Sequence, residues 1–165
     1  MKSMKNVFIY LMAFFMATML GASSCKKKVE PTRDFECRVN GRYYTYESGP
    51  NSLQCDMLGD TVLLIGGSSN GEGVSLLRRD LTGLKIGSYD IKTPGVPTSA
   101  SYSNQPYEEN VYRTDSIHIG KLIITEFDKV NKIIAGTFYF SAYCKKYDSA
   151  VSITDGSFRL KYLKY

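Results

Sequence analysis

The chain has 165 residues, 43% of them hydrophobic, with 21 Lys and Arg against 16 Asp and Glu for a formal net charge of +5. Without its first 24 residues, which carry two lysines and no acid, the remaining 141 make one domain, large enough to bury a core without extra staples. The +3 left on that part is too small for a nucleic-acid surface, which needs a strong and clustered basic face.

The first segment reads as an export signal. Lys2 and Lys5 precede an apolar run over residues 7–20, and Gly21-Ala22-Ser23-Ser24 follows. The run is short for a membrane span, which needs ~20 apolar residues, and it has the basic front and small-residue exit of a signal peptide. Cys25 comes directly after it. The whole resembles a bacterial lipoprotein signal peptide, with Ala22 where Leu is most frequent. The resemblance implies that the Cys25 thiol takes a diacylglycerol group and that the chain is cut before it; the alternative is simple secretion, with an ordinary signal peptidase releasing a chain that begins at Cys25. The expected organisation is a signal peptide over 1–24, the lipidated cysteine and a tether over 25–33, and a single β domain over 34–165.

Residues 26–33 are polar and include Lys26-Lys27-Lys28 and Pro31. Eight residues reach at most ~25–30 Å, so the domain is expected close to a membrane. From residue 34 the pattern is β. Residues 35–39 alternate apolar and polar, Asn40-Gly41 is a hairpin signal, and residues 42–46 return. Short strands are predicted at 53–58, 61–66 and 74–79, with a flexible turn over 67–73, and another strand at 87–91. The stretch 93–110 holds Pro94, Pro97 and Pro106 and is expected to contain one edge strand at 100–103. Strands follow at 111–114, 116–127 and 133–143, with a hairpin tip at 128–131. The last strand runs from Val151 to Tyr162, with Asp155-Gly156 as a bulge, favoured by the long partner strand over a two-residue turn between two short strands. The expectation is an all-β fold, an antiparallel β-sandwich or partly closed barrel of nine to eleven strands.

Two ends of the domain resemble a known family. Phe35-Glu36-Cys37-Arg38-Val39-Asn40-Gly41 is similar to the opening strand of small Bacteroidota lipoproteins with a domain of unknown function. Gly136-Thr137-Phe138-Tyr139-Phe140 and Ile153-Thr154-Asp155-Gly156-Ser157-Phe158 are similar to that family's closing strands. The resemblance implies an extracytoplasmic all-β domain and supplies no catalytic residues. Lys26 in the second mature position and the basic residues after it favour, again by resemblance, the periplasmic face of the outer membrane. Asp60-Thr61-Val62, Asp115-Ser116-Ile117 and Asp148-Ser149-Ala150 resemble the O-glycosylation sites of that phylum, which would modify Thr61, Ser116 and Ser149.

Cys37, Cys55 and Cys144 are an odd number in an oxidising location, so at most one bridge forms within the chain. Cys37–Cys144 is favoured over Cys37–Cys55, with three buried thiols as the alternative. The single histidine, His118, is expected on a strand, pointing opposite to Ile117 and Ile119. No nucleophile elbow accompanies it, and the scattered Cys and His do not offer a zinc set. Glu108-Glu109 could serve as paired carboxylates but reads better as a solvated loop. No cofactor is expected.

Twelve of the 13 tyrosines lie beyond the leader, and there is no tryptophan. Tyr102, Tyr107 and Tyr112 cluster around the proline-rich stretch and are the candidate binding surface, weighed against tyrosine's ordinary place in half-buried strands. The expected function is a lipid-anchored, non-enzymatic binding module for an envelope protein or glycan. The alternatives are an extracytoplasmic hydrolase with carboxylates near 108–115, or a structural envelope component.

Overall fold

The computed structural model describes residues 34–46, 52–59, 62–93, 97–104 and 110–165. Cys25, Thr61, Tyr107, Glu108 and Glu109 lie outside the described residues. The described chain is all-β. It holds β1 (Phe35–Val39), β2 (Arg42–Thr45), β3 (Leu53–Leu58), β4 (Val62–Ser69), β5 (Glu72–Arg79) and β6 (Gly87–Ile91). It continues with β7 (Thr98–Ser103), β8 (Val111–Arg113), β9 (Gly120–Asp128), β10 (Ile133–Cys144), β11 (Ser149–Lys161) and β12 (Leu163–Lys164).

These strands form one mostly antiparallel sheet that is not closed, in the order β12-β3-β4-β5-β7-β8-β10-β11-β1-β2. β10 pairs along one edge with β9 from Ile133 to Phe140 and then with β8 at Tyr143, and β6 continues beyond β9. The sheet therefore forks at β10. Gly120 sits at the fork, where a Cβ would come 2.1 Å from the Tyr139 carbonyl oxygen. Among the described residues the one parallel pairing joins β12 to β3 through Leu163↔Asp56 and Lys164↔Met57.

The turns follow from residues that tolerate left-handed backbone. Asn40 and Gly41 have φ of 49° and 81°, as a two-residue hairpin turn between right-twisted strands requires. Asn70 and Gly71, at 51° and 79°, make a second such turn. This corrects the expected loose turn over 67–73: β4 runs on to Ser69, which pairs directly with Glu72. Asp155, φ 51°, makes the expected bulge, opposed by a single residue of β10. The extra residue moves the core-facing positions of β11 from odd (Val151, Ile153) to even (Phe158, Leu160), so both halves bury their apolar side chains.

Two further expectations are corrected. β7 is an interior strand, paired with β5 on one side and β8 on the other. Pro94, Pro97 and Pro106 all fall outside its span, so its amides are free to make both ladders. β9 starts at Gly120 rather than near Ser116, because the Asp115 carboxylate accepts the backbone N–H of Ile117 and His118 at 2.7 and 2.6 Å and holds residues 115–118 in a turn.

Phe138 is the centre of the core. Its ring lies 5.4 Å from Phe35 and 6.4 Å from both Phe140 and Phe158, centroid to centroid. The sheet curls so that the Phe35 ring lies against Gly67 of β4, where a Cβ would come within 2.7 Å of it. Leu63, Ile65, Leu76, Ile91, Leu122, Ile124, Ile134 and Ile153 are the other large side chains that are fully buried among the described residues. Each such side chain contributes about 1.5–3 kcal/mol by leaving water.

Candidate functional site

The tip of the β9–β10 hairpin is set by Asp128, whose carboxylate accepts the N–H of Val130 and Asn131 at 2.8 and 2.9 Å. Those bonds hold its carboxyl below the usual carboxylate range. The turn brings Lys129 and Lys132 to one side. Lys129 Nζ sits 5.5 Å from the centre of the Phe127 ring, near the range of a cation–π contact. The Tyr162 N–H donates to the Lys132 carbonyl at 2.9 Å, which draws the end of β11 over the tip. Tyr162 and Phe127 then face each other with centroids 6.0 Å apart. Opposite them, the β5–β6 loop makes a tight turn closed by Leu84 N–H to Leu81 O at 2.9 Å.

Between these segments lies a cavity of about 220 Å³, lined by Met57, Leu81, Leu84, Phe127 and Tyr162 with Lys129, Lys132 and Lys164 around it. The floor is apolar and the three charged lining groups are all ammonium. No acidic side chain is among the described lining residues. A cavity of 150 Å³ accepts benzene, so this one has room for roughly eight or nine non-hydrogen atoms. Such a site suits a small molecule with an apolar body and an anionic head.

Of the three candidate surface tyrosines, Tyr102 and Tyr112 take the half-buried strand role weighed against that surface, and Tyr107 lies outside the described residues. Tyr102 is 5% exposed in the interior strand β7, and Tyr112 of β8 packs on it at 5.8 Å between centroids. Burial is the main cause that pushes the Tyr102 hydroxyl up to about 12. Tyr112 faces Ser149, hydroxyl to hydroxyl at 3.2 Å. At the same end Tyr44 donates to the Gly67 and Glu72 carbonyls at 2.8 and 3.1 Å, and Arg42 Nη2 reaches both Glu72 carboxylate oxygens. These polar contacts tie β2 to β4 and β5.

His118 lies in the Asp115 turn, not on a strand. Its Nδ1 is 2.9 Å from Asp115 Oδ2 and its ring stacks on Tyr143 at 5.2 Å. Ile117 and Ile119 both point outward. Ser116 is exposed in this turn, whereas Ser149 is half-buried at the start of β11. Among the described residues no group of three or more His, Cys, Asp or Glu is placed to hold a metal ion.

Cys37, Cys55 and Cys144 are buried, and no disulfide joins them. The favoured Cys37–Cys144 bridge is excluded by register. Cys37 sits level with residues 155 and 156 of β11, while Cys144 opposes Ser149. Six or seven strand residues separate those levels, about 20 Å, against the 4.4–6.8 Å that a disulfide needs between Cα atoms. The Cys37 and Cys55 thiols are both pushed up to about 12, chiefly by burial.

The lysine-rimmed pocket was not anticipated from sequence. The hairpin tip was legible, but its neighbours Leu81, Leu84 and Lys164 come from distant segments and carry no local signal. Fold and site together define a small all-β domain with an apolar pocket under positive charge. The chain belongs to the family described as a domain of unknown function, DUF6252, whose family model matches residues 38–160. No curated protein and no solved structure matched the chain.

Proposed function

We propose that this protein is a lipid-anchored, non-enzymatic binding module of the bacterial cell envelope, whose ligand is a small molecule with an apolar body and an acidic head. The observation that carries the ligand reading is the pocket: an apolar floor from Met57, Leu81, Leu84, Phe127 and Tyr162, with Lys129, Lys132 and Lys164 as its charged groups. The anchor reading is supported by the leader and Cys25, by the basic residues 26–28, and by the resemblance to small Bacteroidota lipoproteins. It places the protein at the outer membrane, on the periplasmic face. In this reading Ser116 is the best exposed of the described glycosylation candidates.

Calorimetric titration with octanoate, octanol and octylammonium, each with an eight-carbon tail sized to the cavity and its head group at the lysine rim, tests the ligand reading. Octanoate binds, octanol binds more weakly for want of a charge, and octylammonium does not bind. Equal heats from the three would sink it. For the anchor, Cys25→Ser moves the protein out of the membrane fraction, and a Ser variant that stays with the membrane contradicts the lipoprotein reading.

A further inference from the structure

We infer that the pocket-bearing end of the domain is also a membrane-contact face that lies on an anionic bilayer surface. This rests on the lipid anchor proposed above. Thirty-three residues precede Asp34, the first described residue, and its carbonyl accepts the Arg159 N–H at 2.9 Å. The entry point of the chain is thereby fixed beside the last part of β11. Phe35 pairs with Phe158, and Lys161 at the end of β11 pairs with Ile133 at the start of β10. The chain therefore enters at the end of the sheet that carries the β9–β10 tip. A tether of eight residues spans at most ~25–30 Å, so an anchored Cys25 puts this end within that reach of the bilayer, and the charge of the surface there selects the face.

The surface there is complementary to anionic headgroups. Lys129, Lys132, Lys161 and Lys164 are all exposed. Val130, at the tip between two of them, is 90% exposed, and Leu163 and Tyr165 stand out beside Lys164. The described acids nearby each accept a bond within the domain: Asp128 from the turn amides, Glu126 from Arg159 at 3.1 Å, Asp34 from the Tyr46 hydroxyl at 3.3 Å, Asp56, beside Leu163, from Gln54 Nε2 at 2.6 Å, and Asp80 from the Thr82 N–H at 3.2 Å. Lysines near an anionic leaflet each add a modest attraction, and the anchor supplies the high local concentration that makes weak contacts count. An exposed aliphatic side chain flanked by lysines is suited to the headgroup boundary.

The test uses the lipidated full-length protein in vesicles of phosphatidylethanolamine with about a quarter phosphatidylglycerol, an anionic lipid that attracts basic segments. An environment-sensitive fluorophore is attached at Val130→Cys or, in a separate sample, at Asn70→Cys in the β4–β5 turn. Cys37, Cys55 and Cys144 are buried and stay unlabelled. Flotation reads the anchor, and quenching by spin-labelled lipid reads the face. The expected result is that both proteins float, that the label at 130 is quenched several-fold more than the label at 70, and that adding Lys129→Glu with Lys132→Glu removes the difference. Proteins that float with equal quenching at 130 and 70, or with quenching at 130 untouched by the two lysine changes, overturn the face while leaving the anchor standing. A protein that does not float overturns the anchor reading, and this inference with it.

Discussion

Tyr143 lies flat on His118, ring centroids 5.2 Å apart and planes within 12°, and its hydroxyl donates to Asp148 Oδ1 at 2.6 Å. One tyrosine of β10 thus joins the turn at Asp115-Ser116 to the turn at Asp148-Ser149. The stacked histidine is held from its other side by Asp115, whose carboxylate also accepts two backbone amides.

That arrangement sets a pH dependence. The Asp115 carboxyl is held down to about 2, first by the His118 backbone N–H and then by the His118 side chain. Its folded value lies below the ordinary ~3.9, so ionised Asp115 favours the folded state. The contribution is fully present above about pH 4 and is lost as pH falls through about 2. Asp115→Asn is expected to melt at a lower temperature than the parent at pH 7, with the gap closing between pH 4 and pH 2. Thermal melts across that range check it, and a gap independent of pH contradicts it.

Burial of the thiols makes a chemical prediction. With Cys37 and Cys55 pushed up to about 12, both are neutral and shielded at pH 8. Iodoacetamide leaves them unmodified in the folded protein and modifies them once the protein is unfolded, without any reductant. Peptide mass mapping reads both states. Fast native labelling, or a requirement for reductant, would contradict the packing described for β1 and β3.

The fork at β10 is a third test. A Cβ at Gly120 would meet the Tyr139 carbonyl at 2.1 Å and the Phe140 Cα at 2.5 Å, both backbone atoms that cannot swing aside. Gly120→Ala is expected to cost about 1–3 kcal/mol or more, as overpacking does. A Cβ at Gly83 would meet nothing within 4 Å, and Gly83→Ala should stay within about 0.5 kcal/mol of the parent. Urea unfolding of the pair measures the difference.

Tyr102 distinguishes core from surface directly. As a buried side chain packed on Tyr112, its change to Ala should cost about 3–5 kcal/mol, the range for a large aromatic lost from a core. An exposed binding tyrosine would cost almost nothing. Denaturant unfolding of Tyr102→Ala decides between them.

The local features of this fold were legible, and the long-range ones were not. Asn40-Gly41 and the Asp155-Gly156 bulge could be read because positive φ at short spacing has few other causes. Strand β3 was read with its correct bounds from its flanking breakers. The extent of β4 was missed because Gly66, Gly67, Ser68 and Ser69 look like a loop in composition. They are strand because they pair with β3 and β5, and Gly67 leaves the room filled by the ring of Phe35, 32 positions away in sequence. The interior place of β7, the strand of Tyr102, is hidden for the same reason: nearby prolines suggest an edge, while the pairing with β5 and β8 that buries it is not local. The pocket unites Met57, Leu81, Leu84, Phe127 and Lys164, which no window of sequence contains.

If the lysines over the pocket select an acidic ligand, as proposed, a charge reversal at its rim weakens that ligand alone. Octanoate affinity should be compared between the parent chain and Lys129→Glu, an exposed position whose change leaves the apolar floor intact. Octanoate is expected to bind about tenfold more weakly to the variant, equivalent to about 1.4 kcal/mol, with octanol binding unchanged. Equal octanoate affinity in the two proteins would contradict it.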